Sequence, residues 1–200
     1  IGGMLVGLET IQKGASDITD DIASAFGIRR AQAERLKCFH GSALTSPRDH
    51  QEVLDIGPDE NGVEAGANAP RITKAQLNAV VCQRVDSIVT EIAQALKTLG
   101  FSGPSGHQVV LTGGGAELKG AAEHMQGALG RTVRIGRPSG LASIPEAHSG
   151  PAFSTLVGLI HYAASERVDL KSGYDLRVEQ MAGTMPGLIE RIKRAVRENF

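Results

Sequence analysis

Three consecutive glycines at residues 113–115 lie between an apolar run and a segment of helix-forming composition. The surrounding segment, residues 111–120, reads LTGGGAELKG. Glycines let the backbone approach a ligand closely, and a helix start offers N–H groups that lack partners within the helix. The segment is neither a P-loop, because no Gly-Lys-Ser/Thr follows, nor a GxGxxG motif, because Leu118 occupies the last glycine position. Spacing alone is equally compatible with a nucleotide site and with a tight structural turn.

A second candidate for chemistry is the segment AERLK at residues 33–37. Glu34 and Lys37 are three residues apart in a predicted helix, so their side chains share one face. A carboxylate can accept hydrogen bonds from ribose hydroxyls, and an ammonium group can lie beside an adenine or a phosphate. Considered alone, the pair is better interpreted as a solvated surface ion pair.

The last fifteen residues, 186–200, have the pattern of an amphipathic helix. At 100° per residue, one continuous arc holds Leu188, Ile189, Ile192, Ala195, Val196, Asn199 and Phe200. The flanking and opposite positions hold Arg191, Lys193, Arg194 and Arg197, with Glu190 and Glu198 among them. Such a helix is roughly 22 Å long, too short to cross a hydrocarbon core of about 30 Å, so it is predicted to lie on a membrane surface. The alternative is a helix docked on its own domain, which the long polar segment before it disfavours.

Composition excludes several function classes. The chain of 200 residues is 41% hydrophobic and 22% charged, as expected of a globular protein. Aromatic residues make up 4%, Trp is absent and the formal net charge is -1, so nucleic acid is not an expected partner. Cys38 and Cys82 form no CxxC motif and are interpreted as reduced thiols, and no histidine has metal-ligand spacing. No metal site and no catalytic residue are assigned.

The best-marked element is a long helix that starts after residue 73. Thr73 and Gln76 form a capping box at its start, and Gly100 is its predicted stop. A single apolar stripe at spacings of three and four holds Leu77, Val81, Val85, Ile88, Ile92, Leu96 and Leu99. The stripe favours a helix packed on its own domain over a coiled coil.

The other elements alternate between helix and strand, which predicts an α/β protein. A hairpin or strand pair is predicted over residues 1–13, and the absence of an initiator Met at Ile1 suggests a chain that begins within a longer protein. Two helices follow, the first capped by Ser16 and ending at Phe26 before Gly27, the second over Arg29–Phe39. Short strands are predicted at Val53–Ile56 and near Val63. Then come a strand at 108–112, a helix at 117–129, a strand at 131–136, a helix at 153–164 and a flexible linker at 165–185.

The order of these motifs resembles the FtsA family of bacterial cell-division proteins, in the actin and heat-shock-chaperone ATPase superfamily. Residues 14–23, GASDITDDIA, are similar to the segment after the family's second phosphate loop, with Ala15 in place of a usual glycine. Residues 33–37 with Gly41 resemble its AExLK…G segment, and residues 111–120 resemble its adenosine motif. Near the end of the domain, residues 133–136, Pro138 and residues 152–159 also resemble the family, as does the tail that closes on Phe200.

The resemblance implies half of an actin-like, ribonuclease-H-like fold. Subdomain 2A would comprise residues 1–19 and 107–164, subdomain 2B residues 20–106, and the linker 165–185 would lead to a membrane-targeting helix at 186–200. It also implies ATP as cofactor, with Mg²⁺ held mainly by an N-terminal half. Glu34 and Lys37 would contact ribose and adenine, Gly113, Gly114 and Gly115 would line the nucleoside, and Glu117 would lie nearby.

The implied function is an adaptor that binds ATP, polymerises and tethers the ring of the tubulin-like protein FtsZ to the cytoplasmic membrane. Arg84, and more weakly Arg71, would contact the acidic C-terminal peptide of FtsZ. The tail would anchor the protein on anionic lipid, at the cytoplasmic face of the inner membrane at the division site. Hydrolysis would be slow at most, and residues 1–200 alone would bind nucleotide weakly or not at all. The alternatives are a pilus-assembly ATPase, a sugar kinase, or a soluble protein–protein module whose last helix docks on a partner.

Overall fold

The structure, a computed structural model, describes residues 5, 7–57, 71–101, 108–140 and 145–164. The chain divides into two compact units, Ile1–Leu159 and Ile160–Phe200, and the described part of the second is residues 160–164, which are helical. Three predicted elements lie outside the described residues: the strand near Val63, the linker at 165–185 and the helix at 186–200. In the described part, no helix has both the length and the apolar character needed to cross a bilayer.

The first two helices pack against each other. Helix α1 is Ala15–Phe26 and ends, as predicted, at Gly27, which adopts φ 62°. The predicted cap at Ser16 is wrong: the N-cap is Gly14, because the Asp17 carboxylate accepts a hydrogen bond from the Gly14 N–H at 2.6 Å and starts the helix two residues earlier. Helix α2 is Arg30–His40, one residue later than predicted at each end.

The long helix α3, Lys74–Thr98, has the predicted capping box. The Thr73 hydroxyl accepts a hydrogen bond from the Gln76 N–H at 3.3 Å, and the Gln76 side chain accepts one from the Thr73 N–H at 2.9 Å. Its buried apolar positions are Leu77, Val81, Val85 and Val89. The predicted stripe named Ile88 where Val89 is buried, but the helix packs on its own domain as the pattern favoured, since α1 and α2 contact it.

Two small sheets of two strands each are present among the described residues. Strands β1, Val53–Leu54, and β2, Ile72–Thr73, pair antiparallel. Strands β3, Val109–Leu111, and β4, Val133–Ile135, pair parallel, with Val109 opposite Val133. A parallel pair needs a crossover connection, and helix α4, Ala121–Leu129, supplies it. The predicted strand–turn–helix–strand order is therefore confirmed.

The helix predicted from Glu117 is shorter than expected. Residues Gly114–Glu117 form a 3₁₀ turn, and α4 begins only at Ala121. Gly120 interrupts the helix with φ 77°, and a Cβ atom there would lie 2.4 Å from Cγ of Leu44. Close packing of a distant loop therefore sets the start of α4.

The predicted hairpin over residues 1–13 does not form in its described part. Residues 5 and 7–13 carry no strand, and Leu5 and Leu8 are largely exposed. An extended segment becomes a strand only when a second strand supplies hydrogen-bond partners, and none of the described residues does so here.

The core lies where α1, α2 and α3 meet. Ile22, Leu36 and Leu77 are almost fully buried there, together with Ile72 and Val81. The last helix of the described residues, α5, is Ser154–Ala164, preceded by a 3₁₀ turn at Pro151–Phe153. Its residue Val157 is buried. This arrangement places the α2 face that carries Glu34 and Lys37 toward the glycine turn.

Candidate functional site

A cleft of about 790 Å³ lies where α1, α2 and the 3₁₀ turn Gly114–Glu117 converge. Its volume is within the range of roughly 300–1,000 Å³ typical of small-molecule sites. Five of the sequence-predicted site residues line it: Glu34, Lys37, Gly114, Gly115 and Glu117. Ala15, Ser16, Phe39, Gly41, Lys74 and Lys119 are among the other lining residues. Two segments about 80 residues apart in the chain thus form a single cleft.

Lys37 is held by three acceptors, two of them on α1. Its Nζ donates to the Ala15 carbonyl at 3.1 Å, to the Thr19 hydroxyl at 2.8 Å and to Oε2 of Glu34 at 2.7 Å. An ammonium group has three N–H bonds, so these contacts use all of them. Lys37 therefore orients its neighbours, and only its methylene stem is left for contact with a ligand.

Glu34 is the more accessible member of the pair. Its side chain is 46% exposed, against 11% for Lys37. Partial burial alone would raise the pKa of the Glu34 carboxyl, but hydrogen bonds from Lys37, Thr19 and Cys38 outweigh burial and lower that pKa. The carboxyl group is therefore ionised at neutral pH and acts as an acceptor, which suits a ligand with hydroxyl donors.

The glycine turn forms the opposite wall of the cleft. Gly113 has φ 91°, and its N–H donates to the Pro151 carbonyl at 3.0 Å, which fixes the turn against the segment before α5. Gly114 and Gly115 line the cleft, whereas Gly113, which was also predicted to line it, does not. A Cβ on Gly115 would lie 3.5 Å from the Ala15 side chain, so the turn closely approaches the start of α1.

The two walls are joined by backbone contacts. The Ala43 N–H donates to the Lys119 carbonyl at 2.8 Å, beside a parallel bridge between Ser42 and Lys119. Gly41 is needed at this junction, because a Cβ there would lie 2.5 Å from the Lys37 carbonyl oxygen. This contact accounts physically for the glycine four residues after Lys37.

Among the residues that the sequence did not mark as part of the site, Thr19 and Phe39 bear most on its chemistry: Thr19 bonds two of the predicted site residues, and Phe39 lines the cleft. Thr19 is fully buried and bonds both Glu34 and Lys37, yet nothing in its spacing marks it, since its partners are 15 and 18 residues away. Phe39 lines the cleft although it is 77% exposed. An aromatic residue two positions after the AERLK segment was the available signal for Phe39.

The predicted partner-binding arginines lie elsewhere. Arg84 forms a bidentate ion pair with Asp21 of α1, at 2.5 Å and 2.6 Å. The Arg84 hydrogen bonds lower the pKa of the Asp21 carboxyl. This pair lines a groove of about 500 Å³ between α1 and α3, with Val80 and Gln83. Arg71 is exposed just before β2.

The chemistry of the cleft fits a nucleoside better than a metal ion. Among the described residues, no group of three or more His, Cys, Asp or Glu side chains could hold a metal. The cleft instead offers the carboxylate of Glu34, a second acidic residue at Glu117, glycine backbone, and the lysines Lys74 and Lys119. Hydroxyl donors and a flat or anionic group would satisfy these partners.

Comparison with known proteins points to one family. The family model described as "Cell division protein FtsA" matches residues 1–158. The FtsA of Agrobacterium fabrum is 33% identical over 198 residues, covering 99% of this chain and 44% of the relative. The FtsA of Escherichia coli K12 is 28% identical over 207 residues, covering 100% of this chain and 47% of the relative. The chain therefore spans slightly less than half the length of these curated relatives.

Among solved structures, MreB5 of Spiroplasma citri bound to ADP is similar to this chain. The TM-score is 0.50 at 20% sequence identity, and the match covers 75% of this chain and 44% of MreB5. At this identity the similarity concerns the fold. It shows an α/β chain that forms part of an actin-like fold, as the sequence predicted.

Proposed function

Because the chain belongs to the family of the cell division protein FtsA, we propose that it is the nucleoside-binding and partner-binding part of a cell-division adaptor. In this proposal the whole protein binds ATP, polymerises, and tethers FtsZ filaments to the cytoplasmic membrane at the division site. Family membership supports the role in cell division, and it favours this adaptor over a pilus-assembly ATPase or a sugar kinase.

The observation that carries the ATP proposal is the convergence of two walls on one cleft. Glu34 presents an ionised carboxylate from α2, and Gly114 and Gly115 present backbone from the turn. A ribose hydroxyl can donate to the carboxylate, while the glycines let the ligand approach the backbone closely. The ADP bound by MreB5 supports the same ligand class. The phosphates and Mg²⁺ would be held mainly by the N-terminal half of a protein of full FtsA length.

Calorimetry with ATP tests this proposal in the full-length protein. Glu34→Ala should weaken ATP binding by about tenfold or more, because it removes a charge-assisted hydrogen bond. Glu91→Ala is the matched control, since Glu91 forms an ion pair with Lys13 at 2.5 Å and does not line the cleft. Equal affinities of the two variants would remove Glu34 from the site.

The isolated chain gives a second measurement. Residues 1–200 contain only part of the cleft expected of an FtsA-length protein, so ATP should bind weakly or not at all. A micromolar dissociation constant for this chain would contradict that expectation.

The partner proposal rests on the groove between α1 and α3. Arg84 lies in this groove, where a basic side chain suits the acidic FtsZ peptide. Its guanidinium is already paired with Asp21, so an acidic peptide would have to compete with that carboxylate. Asp21→Asn should therefore raise peptide affinity, and Arg84→Glu should lower it.

Fluorescence anisotropy with a labelled FtsZ C-terminal peptide measures both changes. Arg48→Glu provides a control for charge reversal outside the groove, since Arg48 belongs to the 3₁₀ turn Pro47–His50. The same assay on Arg71→Glu tests the second candidate. If Arg84→Glu binds as the unmodified chain does, the groove is not the peptide site.

A further inference from the structure

Thr19 connects the two side chains that mark the cleft, although it does not line the cleft itself. It is fully buried in α1. Its hydroxyl donates to Oε2 of Glu34 at 2.5 Å and accepts from Nζ of Lys37 at 2.8 Å. The alternative acceptor for the hydroxyl proton, the Ala15 carbonyl, is at 3.5 Å, so the proton belongs on the shorter bond to Glu34.

These bonds give the two carboxylate oxygens of Glu34 different roles. Oε2 accepts from both Thr19 and Lys37, and is therefore occupied by the protein. Oε1 has the Cys38 thiol as its described donor, at 3.4 Å. A thiol is a weak donor, so a ligand hydroxyl can replace it at Oε1 without leaving a strong donor unpaired.

We propose that Thr19 is a positioning residue for ligand recognition, which fixes the Glu34 carboxylate so that Oε1 is presented to the ribose hydroxyls of a bound nucleotide. The inference rests on the proposed ATP binding. Lys37 contributes to the same arrangement, because its ammonium group bonds α1 at the Ala15 carbonyl and α2 at Glu34. Helix α1 therefore determines the orientation of a recognition group carried by α2.

The test compares ATP with 2′,3′-dideoxy-ATP in the full-length protein. The unmodified protein should bind ATP at least about tenfold more tightly than the dideoxy analogue, as expected for one charge-assisted hydrogen bond. Thr19→Val keeps the shape and removes the hydroxyl, and it should reduce this ratio towards one. Thr19→Ser restores the hydroxyl and should restore the ratio.

The ratio separates positioning from a merely structural role. A structural role would lower the melting temperature of Thr19→Val and weaken both nucleotides equally, leaving the ratio unchanged, and that result would overturn the inference. Thr90→Val is the matched control, because Thr90 in α3 bonds the carbonyl four residues earlier but is exposed and outside the cleft. Thr90→Val should have nearly the same melting temperature as the unmodified protein and nearly the same ratio of ATP affinity to dideoxy-ATP affinity.

Failure of the underlying ATP proposal gives a different result. If the unmodified protein binds neither nucleotide, the proposed function fails and the inference fails with it. If ATP binds and Glu34→Ala weakens it, but Thr19→Val keeps the full ratio, only the role of Thr19 is rejected.

Discussion

Asn78 is a fully buried polar side chain in α3, and it holds the loop that follows α2. Its carbonyl oxygen accepts from the Ser42 N–H at 2.9 Å, and its amide donates to Oδ2 of Asp49 at 3.0 Å. A buried group whose partner is removed loses the full desolvation free energy. Ser42 in turn lies beside Lys119, so this network supports the junction between the two walls of the cleft.

We predict that Asn78→Ala lowers the free energy of unfolding of the chain by about 2–3 kcal/mol, because it leaves the buried Ser42 N–H without an acceptor. Asn78→Asp should be still less stable, since its second oxygen would face the Asp49 carboxylate. Gln83→Ala, at an exposed position of the same helix, should change stability by less than about 0.5 kcal/mol. Urea unfolding measures all three, and similar midpoints for Asn78→Ala and Gln83→Ala would contradict the prediction.

At the scale of the element, alanine substitution should have opposite effects on stability at two glycines: Gly120, the N-cap of α4, and Gly127, inside α4. Gly120 caps the helix with φ 77° and faces Leu44, whereas Gly127 lies inside the helix with open space at its Cβ position. Gly120→Ala should destabilise the chain by about 2 kcal/mol, from backbone strain and steric overlap. Gly127→Ala should stabilise it by about 0.5–1 kcal/mol, because alanine favours the helix. Thermal unfolding measures both changes in stability, and a loss of stability in Gly127→Ala as well as in Gly120→Ala would contradict the prediction for Gly127.

The Asp21–Arg84 pair ties α1 to α3, and its effect should depend on pH. The hydrogen bonds from Arg84 lower the pKa of Asp21 below its ordinary value of 3.8. A carboxyl with a lowered folded-state pKa stabilises the fold above its unfolded pKa, and this stabilisation is lost as pH falls through the folded pKa. Asp21→Asn should therefore be less stable than the unmodified chain at pH 7, and the difference should shrink below about pH 4.

Urea unfolding between pH 7 and pH 3 measures this difference. Asp20→Asn is a suitable control, since Asp20 pairs with Arg30 on the surface with both side chains more than half exposed. Exposed pairs contribute little to stability. The prediction would be contradicted if Asp21→Asn and the unmodified chain differed in free energy of unfolding by the same amount at every pH.

Elements with local signals could be predicted from the sequence, and elements set by distant contacts could not. Thr73 and Gln76 lie three residues apart, so their capping box can be recognised from the sequence. The start of α4 depends on Leu44, 76 residues before Gly120, and no local pattern records that packing. The same holds for the site. The AERLK and glycine segments could be recognised as motifs in the sequence, whereas the buried Thr19 hydroxyl reaches Glu34 only when α1 packs on α2.

At the scale of the whole molecule, the chain combines part of an actin-like fold with a tail whose sequence predicts membrane binding. Residues 186–200 carry four basic and two acidic side chains, a charge of +2. Each basic residue near an anionic surface contributes about 1 kcal/mol, and partial burial of the apolar side chains adds a few kcal/mol. One tail should therefore bind weakly, and stable anchoring should require several tails in one assembly.

Vesicle sedimentation tests both parts of this expectation. The chain 1–200 should sediment weakly with vesicles that contain phosphatidylglycerol, and a chain that ends at Met185 should stay in solution. Fusion of residues 1–200 to a tetrameric scaffold should raise the apparent affinity about a hundredfold, because linked tails bind with a high effective concentration. Ile192→Asp in the tetramer, which places a charge in the centre of the apolar arc, should abolish most of that gain, whereas Glu190→Asp should keep it. Equal sedimentation of the tetramer with and without residues 186–200 would contradict the assignment of the tail as the anchor.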